Sequence, residues 1–257
     1  MRSFEELVLE AEQADVDGWG FGFLEGRATE ERPSWRYVRL LAEQLGAANC
    51  ALDLDTGGGE VLAEALGMAA SSPPRMVVTE AWPPNAAQAQ RRLAPWGVDV
   101  VRTALGSSAL PLPDASFDLV TARHPVAPDF AEIHRVVAPG GTYLAQHVGA
   151  ASAFELIEAI LGPLSPEHYL GRDAQREAQA AREAGLEVMD LRTARLRMEF
   201  FDIGAVVWIL RKCVWWVPDF SVPAYEPQLR ALDAQMRAGE PFLAHSTRHL
   251  LEARRPL

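Results

Sequence analysis

Short apolar runs and segments with helical periodicity alternate along the middle of the chain. The runs that predict buried strands lie near residues 50–54, 75–80, 98–102, 117–122 and 141–147. One helix's worth of chain separates the first run from the second. Alternation of strands and helices is typical of an α/β protein with helices on both faces of a largely parallel sheet.

The chain before the first strand predicts two helices and an unusual loop. Apolar spacing places the helices at Phe4–Ala14 and Ser34–Leu45, and in the loop between them, residues 18–27, glycines alternate with aromatic residues. We interpret residues 1–48 as an N-terminal helical lid, because mobile segments that carry rings are suited to closing over a flat ligand. In the alternative interpretation, the rings pack on the core.

The chain after Gly149 predicts two helices, a strand, two further helices and a last strand. Their expected bounds are Ala153–Leu161, Asp173–Ala184, Leu186–Arg197, 203–217, Ala224–Ala238 and Phe242–Ala253. We expect the two strands to pair as an antiparallel edge, with a helical insertion at about residues 201–240 between them. Insertions in α/β folds often lie over the carboxyl ends of the strands, where ligands bind. The apolar insertion therefore predicts a pocket wall, although Trp208, Trp215 and Trp216 fit core packing equally well.

A glycine-rich turn, Thr56–Gly59, lies between the first strand and a helical segment. Glycine tolerates positive φ and has no Cβ to collide with a bound molecule, and the following helix offers free N–H groups. Glu80 ends the second strand, which is the position that accepts ribose hydroxyls in dinucleotide-binding folds. Together these features predict a nucleotide-like cofactor.

Two later segments carry a family resemblance. Leu110–His124 reads LPLPDASFDLVTARH, and Ala131–Gln146 reads AEIHRVVAPGGTYLAQ. They resemble the phrases LPFPDxSFDLV and ELxRVLxPGG of the class I S-adenosylmethionine (SAM) dependent methyltransferases, in their small-molecule, type 11-like branch. The resemblance covers roughly residues 50–149, with a weaker match in the last third. It implies a Rossmann-like seven-stranded sheet over residues 49–257, with SAM as cofactor and S-adenosylhomocysteine as product. NAD fits less well, because a dehydrogenase would show GxGxxG and would lack the Pro139–Gly141 turn before a strand.

The resemblance implies roles for residues at the first two strand ends. Asp53 matches the acidic position that organises the glycine turn and the amino acid end of the cofactor. Asp55 departs from the family, which has its first glycine there, and is followed by Thr56 and then by Gly57, Gly58 and Gly59. Glu80 is expected to accept hydrogen bonds from the ribose hydroxyls. Trp82 is expected to stack on the adenine, unless Pro83 and Pro84 direct it into packing.

The resemblance also implies roles further along. Gly106 stands where many relatives carry an Asp that binds the adenine amino group, so Ser107, Ser108 or backbone groups are expected to replace it. Arg123 and His124 follow the fourth strand, which in this fold faces the sulfonium and the acceptor. His124 is therefore the candidate general base, since imidazole suits proton transfer near neutral pH, and His147 is the second candidate. The alternative for His124 is a structural histidine before Pro125.

Composition limits the partners. The formal net charge is −11 and the isoelectric point is about 5.0, which disfavours nucleic acid as a partner. No stretch approaches the roughly 20 apolar residues of a membrane span, and Arg211 and Lys212 interrupt the most apolar one. The N-terminus has no signal-peptide pattern. Cys50 and Cys213 lack metal-ligand spacing, so we expect a cytoplasmic protein without a disulfide or a zinc site.

A second, looser likeness leaves the acceptor open. Arg123–Pro128 and Glu132–Gly141 are similar to segments of the large-subunit rRNA guanine methyltransferases. Those enzymes carry an N-terminal four-cysteine zinc module, and this chain has no cysteine before Cys50. We therefore expect methyl transfer to a small, aromatic or apolar acceptor. The alternatives are an rRNA base methyltransferase and a SAM-binding protein that does not methylate, and the sequence does not indicate an oligomeric state.

Overall fold

The protein is described by a computed structural model over residues 2–18, 20–106 and 109–257. These residues contain nine α-helices and eight strands. The strands are β1 Ala28–Glu30, β2 Cys50–Leu54, β3 Arg75–Glu80, β4 Asp99–Arg102, β5 Phe117–Arg123, β6 Val137–Val148, β7 Glu187–Phe200 and β8 Phe242–Arg254. The helices are α1 Phe4–Gln13, α2 Tyr37–Ala47, α3 Glu60–Met68, α4 Pro83–Leu93, α5 Phe130–Val136, α6 Phe154–Leu161, α7 Ala174–Glu183, α8 Ile203–Lys212 and α9 Glu226–Arg237.

The strands form one mixed sheet in the order β1-β7-β8-β6-β5-β2-β3-β4. Neighbours from β6 through β5, β2 and β3 to β4 pair in parallel, whereas β8 is antiparallel to β6 and β1 is antiparallel to β7. The predicted α/β fold is confirmed, but the sheet has eight strands instead of seven. The additional strand, β1, has only three residues, Ala-Thr-Glu, and neither its length nor its polarity distinguishes it from a loop.

The chain divides into two compact units. The sheet unit contains residues 33–149, 172–194 and 248–257, and the helical unit contains the residues up to Arg32 together with 150–171 and 195–247. The predicted lid segment, residues 1–48, is therefore shared between the units, because α2 belongs to the sheet unit. There the apolar side of α2 packs in the same cluster as α3. Closure of the N-terminal residues over a site stays a prediction.

Both faces of the sheet unit are covered, because neighbouring strand residues point to opposite sides. Leu52 and Val120 belong to a cluster with apolar residues of α5 and α7. Ala51 and Leu119, one position away on the same strands, belong to a second cluster with α2, α3 and α4. This arrangement leaves the carboxyl ends of the parallel strands at one edge, where Asp53, Glu80 and Arg123 lie.

The helical unit is built around α8, whose residues from Ile203 to Leu210 are all buried. Trp208 is 2% exposed and stacks on Phe23, so it is a core residue of this unit. The predicted helix over 203–217 is too long: α8 ends at Lys212, although the sequence stays apolar. Among the residues that follow, Cys213 and Val217 are buried, but Val214 and Trp215 are exposed. No helix in the described ranges is long and apolar enough to span a membrane.

Candidate active site

The turn after β2 adopts left-handed backbone conformations at three positions. Asp55, Gly57 and Gly59 have φ of 52°, 64° and 78°. Glycine adopts such angles without strain, and Asp is among the few other residues that tolerate them. The departure at Asp55 therefore falls where the backbone itself favours glycine. The turn is anchored to β3, because the Asp55 amide donates to Thr79 Oγ1 at 3.2 Å and the Thr56 amide donates to the Thr79 carbonyl at 3.0 Å.

The last glycine of the turn is required by packing and by its backbone angle. A Cβ on Gly59 would lie 3.0 Å from Leu93 Cγ at φ of 78°, whereas one on Gly58 would meet only the movable ends of the Glu60 and Arg92 side chains. Arg92 of α4 donates to the Gly58 carbonyl and pairs with Glu60 at 2.7 Å. The turn is therefore pressed against α4 on one side, which fixes its backbone path.

Glu80, at the end of β3, connects the turn to the next loop. Its side chain is buried, its Oε2 accepts from the Gly57 amide and its Oε1 accepts from the Trp82 amide, both at 2.8 Å. A carboxylate offers about four acceptor positions. Two are used here, so each oxygen keeps a lone pair for a further donor.

Two further carboxylates lie beside Glu80. Asp53 is 5% exposed and accepts from the Thr121 hydroxyl at 2.6 Å. Burial raises the pKa of Asp53 to about 6, although the Thr121 hydrogen bond opposes the rise. Burial, together with the charge of Glu80, also raises the pKa of Asp55. This part of the edge therefore favours a bound group that carries positive charge or donates hydrogen bonds.

The other residues predicted to contact the cofactor are more exposed than Glu80 or have fewer close neighbours. Trp82 is 45% exposed and immediately precedes α4, so its ring is not used in packing the core. Gly106 has φ of 75° and lies in a loop after β4 where a Cβ would meet no atom within 4 Å. Arg123 is exposed at the end of β5. Ser107 and Ser108 lie outside the described residues.

His124 is held by a hydrogen-bonded chain that fixes its protonation. Its backbone has φ of 58°, and its amide donates to the Gln146 carbonyl at 2.7 Å. The Trp35 indole, which can only donate, donates to Gln146 Oε1 at 2.8 Å. The Gln146 amide nitrogen therefore faces His124 Nε2 at 3.1 Å and must donate to it. Nε2 is then the acceptor, and the imidazole proton lies on Nδ1.

Burial and neighbouring arginines keep His124 neutral. Burial is the largest effect that lowers the pKa of His124 well below its ordinary value, and the charges of Arg123 and Arg248 act in the same direction. The Nε2 lone pair is occupied by Gln146, which leaves the Nδ1 proton as the available hydrogen-bonding group. The ring therefore presents a donor. His147, the second candidate base, donates instead from Nδ1 to Glu177 at 2.6 Å.

The sequence-based reasoning missed Trp35 and Gln146. A signal for Gln146 did exist, because it is a polar residue among the apolar residues that end β6, and it pairs in register with Arg123. No local pattern marks Trp35, which lies 111 residues from Gln146 in sequence.

A family model matches the part of the chain that carries most of these residues. Residues 52–145 match the model of a methyltransferase domain, and this range contains the glycine turn, Glu80 and His124. The match supports the predicted resemblance to methyltransferases over this segment. The matched segment includes most of the parallel strands of the sheet unit. No curated protein matches the chain significantly.

Solved structures share the fold of this methyltransferase domain. A candidate methyltransferase from Bacillus halodurans has a TM-score of 0.60 at 17% identity, with 86% of this chain and 99% of that chain covered. The [4+2]-cyclase SpnF has a TM-score of 0.53 at 19% identity, covering 88% and 85% of the two chains. Phosphoethanolamine N-methyltransferase 2 of Haemonchus contortus, in complex with SAM, has a TM-score of 0.50 at 15% identity, covering 87% and 53%. The TM-scores show a shared fold, and at these low identities the similarity extends to the fold alone.

Proposed function

We propose that the protein is a SAM-dependent methyltransferase that acts on a small, aromatic or apolar acceptor. One observation supports the cofactor most strongly. Glu80 is buried at the edge of the sheet with one amide donor on each oxygen. A second donor for each oxygen is what a vicinal pair of ribose hydroxyls supplies, and hydrogen bonds to a charged acceptor are the stronger kind.

The surrounding residues fit the rest of the cofactor. The carboxylates of Asp53 and Asp55 lie at the end of β2 beside the glycine turn, where negative charge favours the ammonium group of a methionine moiety. Gly57 is held by its hydrogen bond to Glu80. Trp82 leaves an exposed ring two residues from Glu80, available for stacking on an adenine. When bound there, SAM would supply an electrophilic methyl group on its sulfonium.

The role proposed for His124 is positioning. Methyl transfer to a nucleophile needs in-line alignment, and positioning alone supplies several kcal/mol. His124 is neutral and carries its proton on Nδ1, so it can donate a hydrogen bond to an acceptor heteroatom. For it to act as a base through Nε2, the ring would first have to release Gln146. We therefore assign His124 to orienting the acceptor.

The acceptor class rests on charge and on composition. A formal net charge of −11 opposes the approach of a polyanion such as RNA. The helical unit carries exposed apolar side chains, among them Phe21, Phe201 and Trp215, which suit an apolar compound better than a phosphate backbone. These features favour methyl transfer to a small, apolar acceptor.

A search for labelled product tests the proposal. The protein would be incubated with methyl-labelled SAM and pools of small aromatic and aliphatic alcohols, phenols, amines and carboxylic acids, and in parallel with total RNA. We expect label in one class of small molecules and none in RNA. Label in RNA alone would favour the rRNA methyltransferase alternative. Tight SAM binding without labelled product from any pool would instead favour a non-methylating SAM protein.

A further inference from the structure

Three side chains of the sheet unit converge at a place that the proposed function does not use. His147 lies on β6, His249 lies on β8, and Glu177 lies on α7. His147 Nδ1 is 2.6 Å from Glu177 Oε2, and His249 Nε2 is 2.8 Å from the same oxygen. All of the ligating atoms lie within 4.8 Å of one another.

The two histidines are fixed by the sheet. His147 and His249 are directly opposite in the antiparallel register of β6 and β8, and their rings stack at 4.6 Å. Both are 1% exposed. Only the Glu177 side chain, at 17% exposure, retains access to solvent. Two rigid nitrogen ligands and one adjustable carboxylate are thus provided by three different elements.

The hydrogen bonds leave one atom of this cluster unsatisfied. Both rings must donate to the Glu177 carboxylate, so His147 Nε2 becomes an acceptor facing the Tyr143 hydroxyl at 3.4 Å. On His249 the acceptor is then Nδ1, which is buried and has no hydrogen-bond partner among the described residues. If His249 Nε2 instead ligates an ion, the ring proton lies on Nδ1, so this atom needs a partner in both states.

We propose that His147, His249 and Glu177 form a binding site for a divalent first-row transition metal ion, with zinc as the best match. Imidazole and carboxylate ligands suit zinc and its neighbours, whereas magnesium and calcium prefer oxygen ligands alone. Zinc–nitrogen and zinc–oxygen bonds are about 2.0–2.2 Å long. The ion would replace the two ring protons that now contact Glu177 Oε2, and solvent on the Glu177 side would complete the coordination.

The sequence analysis expected no zinc site because the two cysteines lack metal-ligand spacing, but this site contains no cysteine. Its ligands lie at positions 147, 177 and 249, far apart in sequence, and none belongs to a short motif. Because the three residues are distinct from the glycine turn and Glu80, the proposal does not depend on the methyltransferase function.

Titration of the chelator-treated full chain with Co²⁺ and Zn²⁺ tests the proposal. We expect one equivalent of Co²⁺ to produce visible d–d absorption, Zn²⁺ to displace it, and Zn²⁺ to raise the melting temperature by several degrees. Glu177→Gln and His249→Gln should each weaken binding at least tenfold. His245→Gln should bind normally, because His245 forms a similar pair with Glu155, at 2.8 Å, without a third ligand.

A wild-type measurement keeps the test valid if a variant fails to fold. In ¹⁵N spectra of the histidine rings, zinc should shift His147 Nδ1 and His249 Nε2 and leave the His245 ring unchanged. Wild-type protein that takes up no metal at micromolar concentrations would overturn the proposal, as would metal uptake that leaves these two nitrogens unshifted. The three residues would then form a hydrogen-bonded structural cluster.

Discussion

The backbone amide of Gly57 donates a 2.8 Å hydrogen bond to Glu80 Oε2, and this contact ties the glycine turn to the end of β3. The turn and the carboxylate lie 23 residues apart in sequence and derive from neighbouring parallel strands. The cofactor-binding proposal depends on this arrangement, because it orients the carboxylate and sets the turn's backbone beside it.

The rigidity of the turn is testable with two glycines of the same region. Gly59→Ala places a Cβ at φ of 78° and 3.0 Å from Leu93, so we expect a loss of about 2–4 kcal/mol in unfolding free energy. Gly67→Ala is the control, since it lies in α3 with no atom within 4 Å of a Cβ. That change should stabilise the protein by about 0.5–1 kcal/mol. Denaturant unfolding measures both, and equal effects would contradict the description of the turn.

Asp53 should make stability depend on pH. Its pKa rises from 3.8 to about 6 on folding, which corresponds to roughly 3 kcal/mol. Because the folded pKa is the higher one, this contribution is fully present below pH 3.8 and is lost as pH rises through about 6. Asp53→Asn should therefore stabilise the cofactor-free protein at pH 7.5 by about 1–3 kcal/mol and should have little effect near pH 4. Unfolding measured at both pH values checks the sign.

Asp118→Asn provides a contrast at the other end of the sheet. Asp118 accepts hydrogen bonds from the backbone amides of Asn49 and Cys50, and these bonds stabilise the folded state. We expect this variant to lose about 1–3 kcal/mol at pH 7.5. If both variants destabilise alike, burial does not dominate the environment of Asp53.

The Trp35–Gln146–His124 chain predicts a specific tautomer. In ¹⁵N spectra at pH 7, His124 should be neutral with its proton on Nδ1, since Gln146 donates to Nε2 at 3.1 Å. Trp35→Phe removes the donor that orients Gln146, so the tautomer preference should weaken and stability should fall by about 1–3 kcal/mol. Trp96→Phe, at a half-buried tryptophan of the same unit, should leave the His124 signal unchanged. An Nε2-protonated ring in the wild type would contradict the orientation of the chain.

The positioning role of His124 predicts a particular kinetic pattern. His124→Gly removes the imidazole and suits the positive φ of 58° at this position. On an acceptor found by the labelling search, we expect kcat to fall at least tenfold while the Kd for SAM stays within about twofold, because the lost contact is to the acceptor. An acidic limb of the wild-type pH–rate profile that disappears in this variant would instead identify His124 as a general base.

Much of the fold was predictable because its elements are strongly periodic. The five parallel strands and the helices α6, α7 and α9 lie within a few residues of their predicted positions. The prediction failed where local pattern and tertiary structure diverge. β1 is too short and polar to be detected, and α8 ends at Lys212 although the sequence stays apolar beyond it.

The site was predictable to the extent that it is local in sequence. The glycine turn follows the first strand and Glu80 ends the second, and a βαβ pattern in the sequence is enough to locate both strand ends. Trp35 and Gln146 meet only through the sheet, and His147, Glu177 and His249 meet only through strand register and the docking of α7. Long-range contacts of this kind leave no signal in a single sequence.

Calorimetric titration of SAM into the wild type, Glu80→Gln and Glu64→Gln tests the central claim most directly. Glu64 is an exposed carboxylate on α3, so its variant controls for the change in net charge. We predict saturable one-site binding by the wild type and by Glu64→Gln, and a loss of about 10–100-fold in Glu80→Gln, because hydrogen bonds to a charged group contribute about 1.5–3 kcal/mol. Absence of SAM binding in the wild type, or equal affinity in all three proteins, would contradict the account.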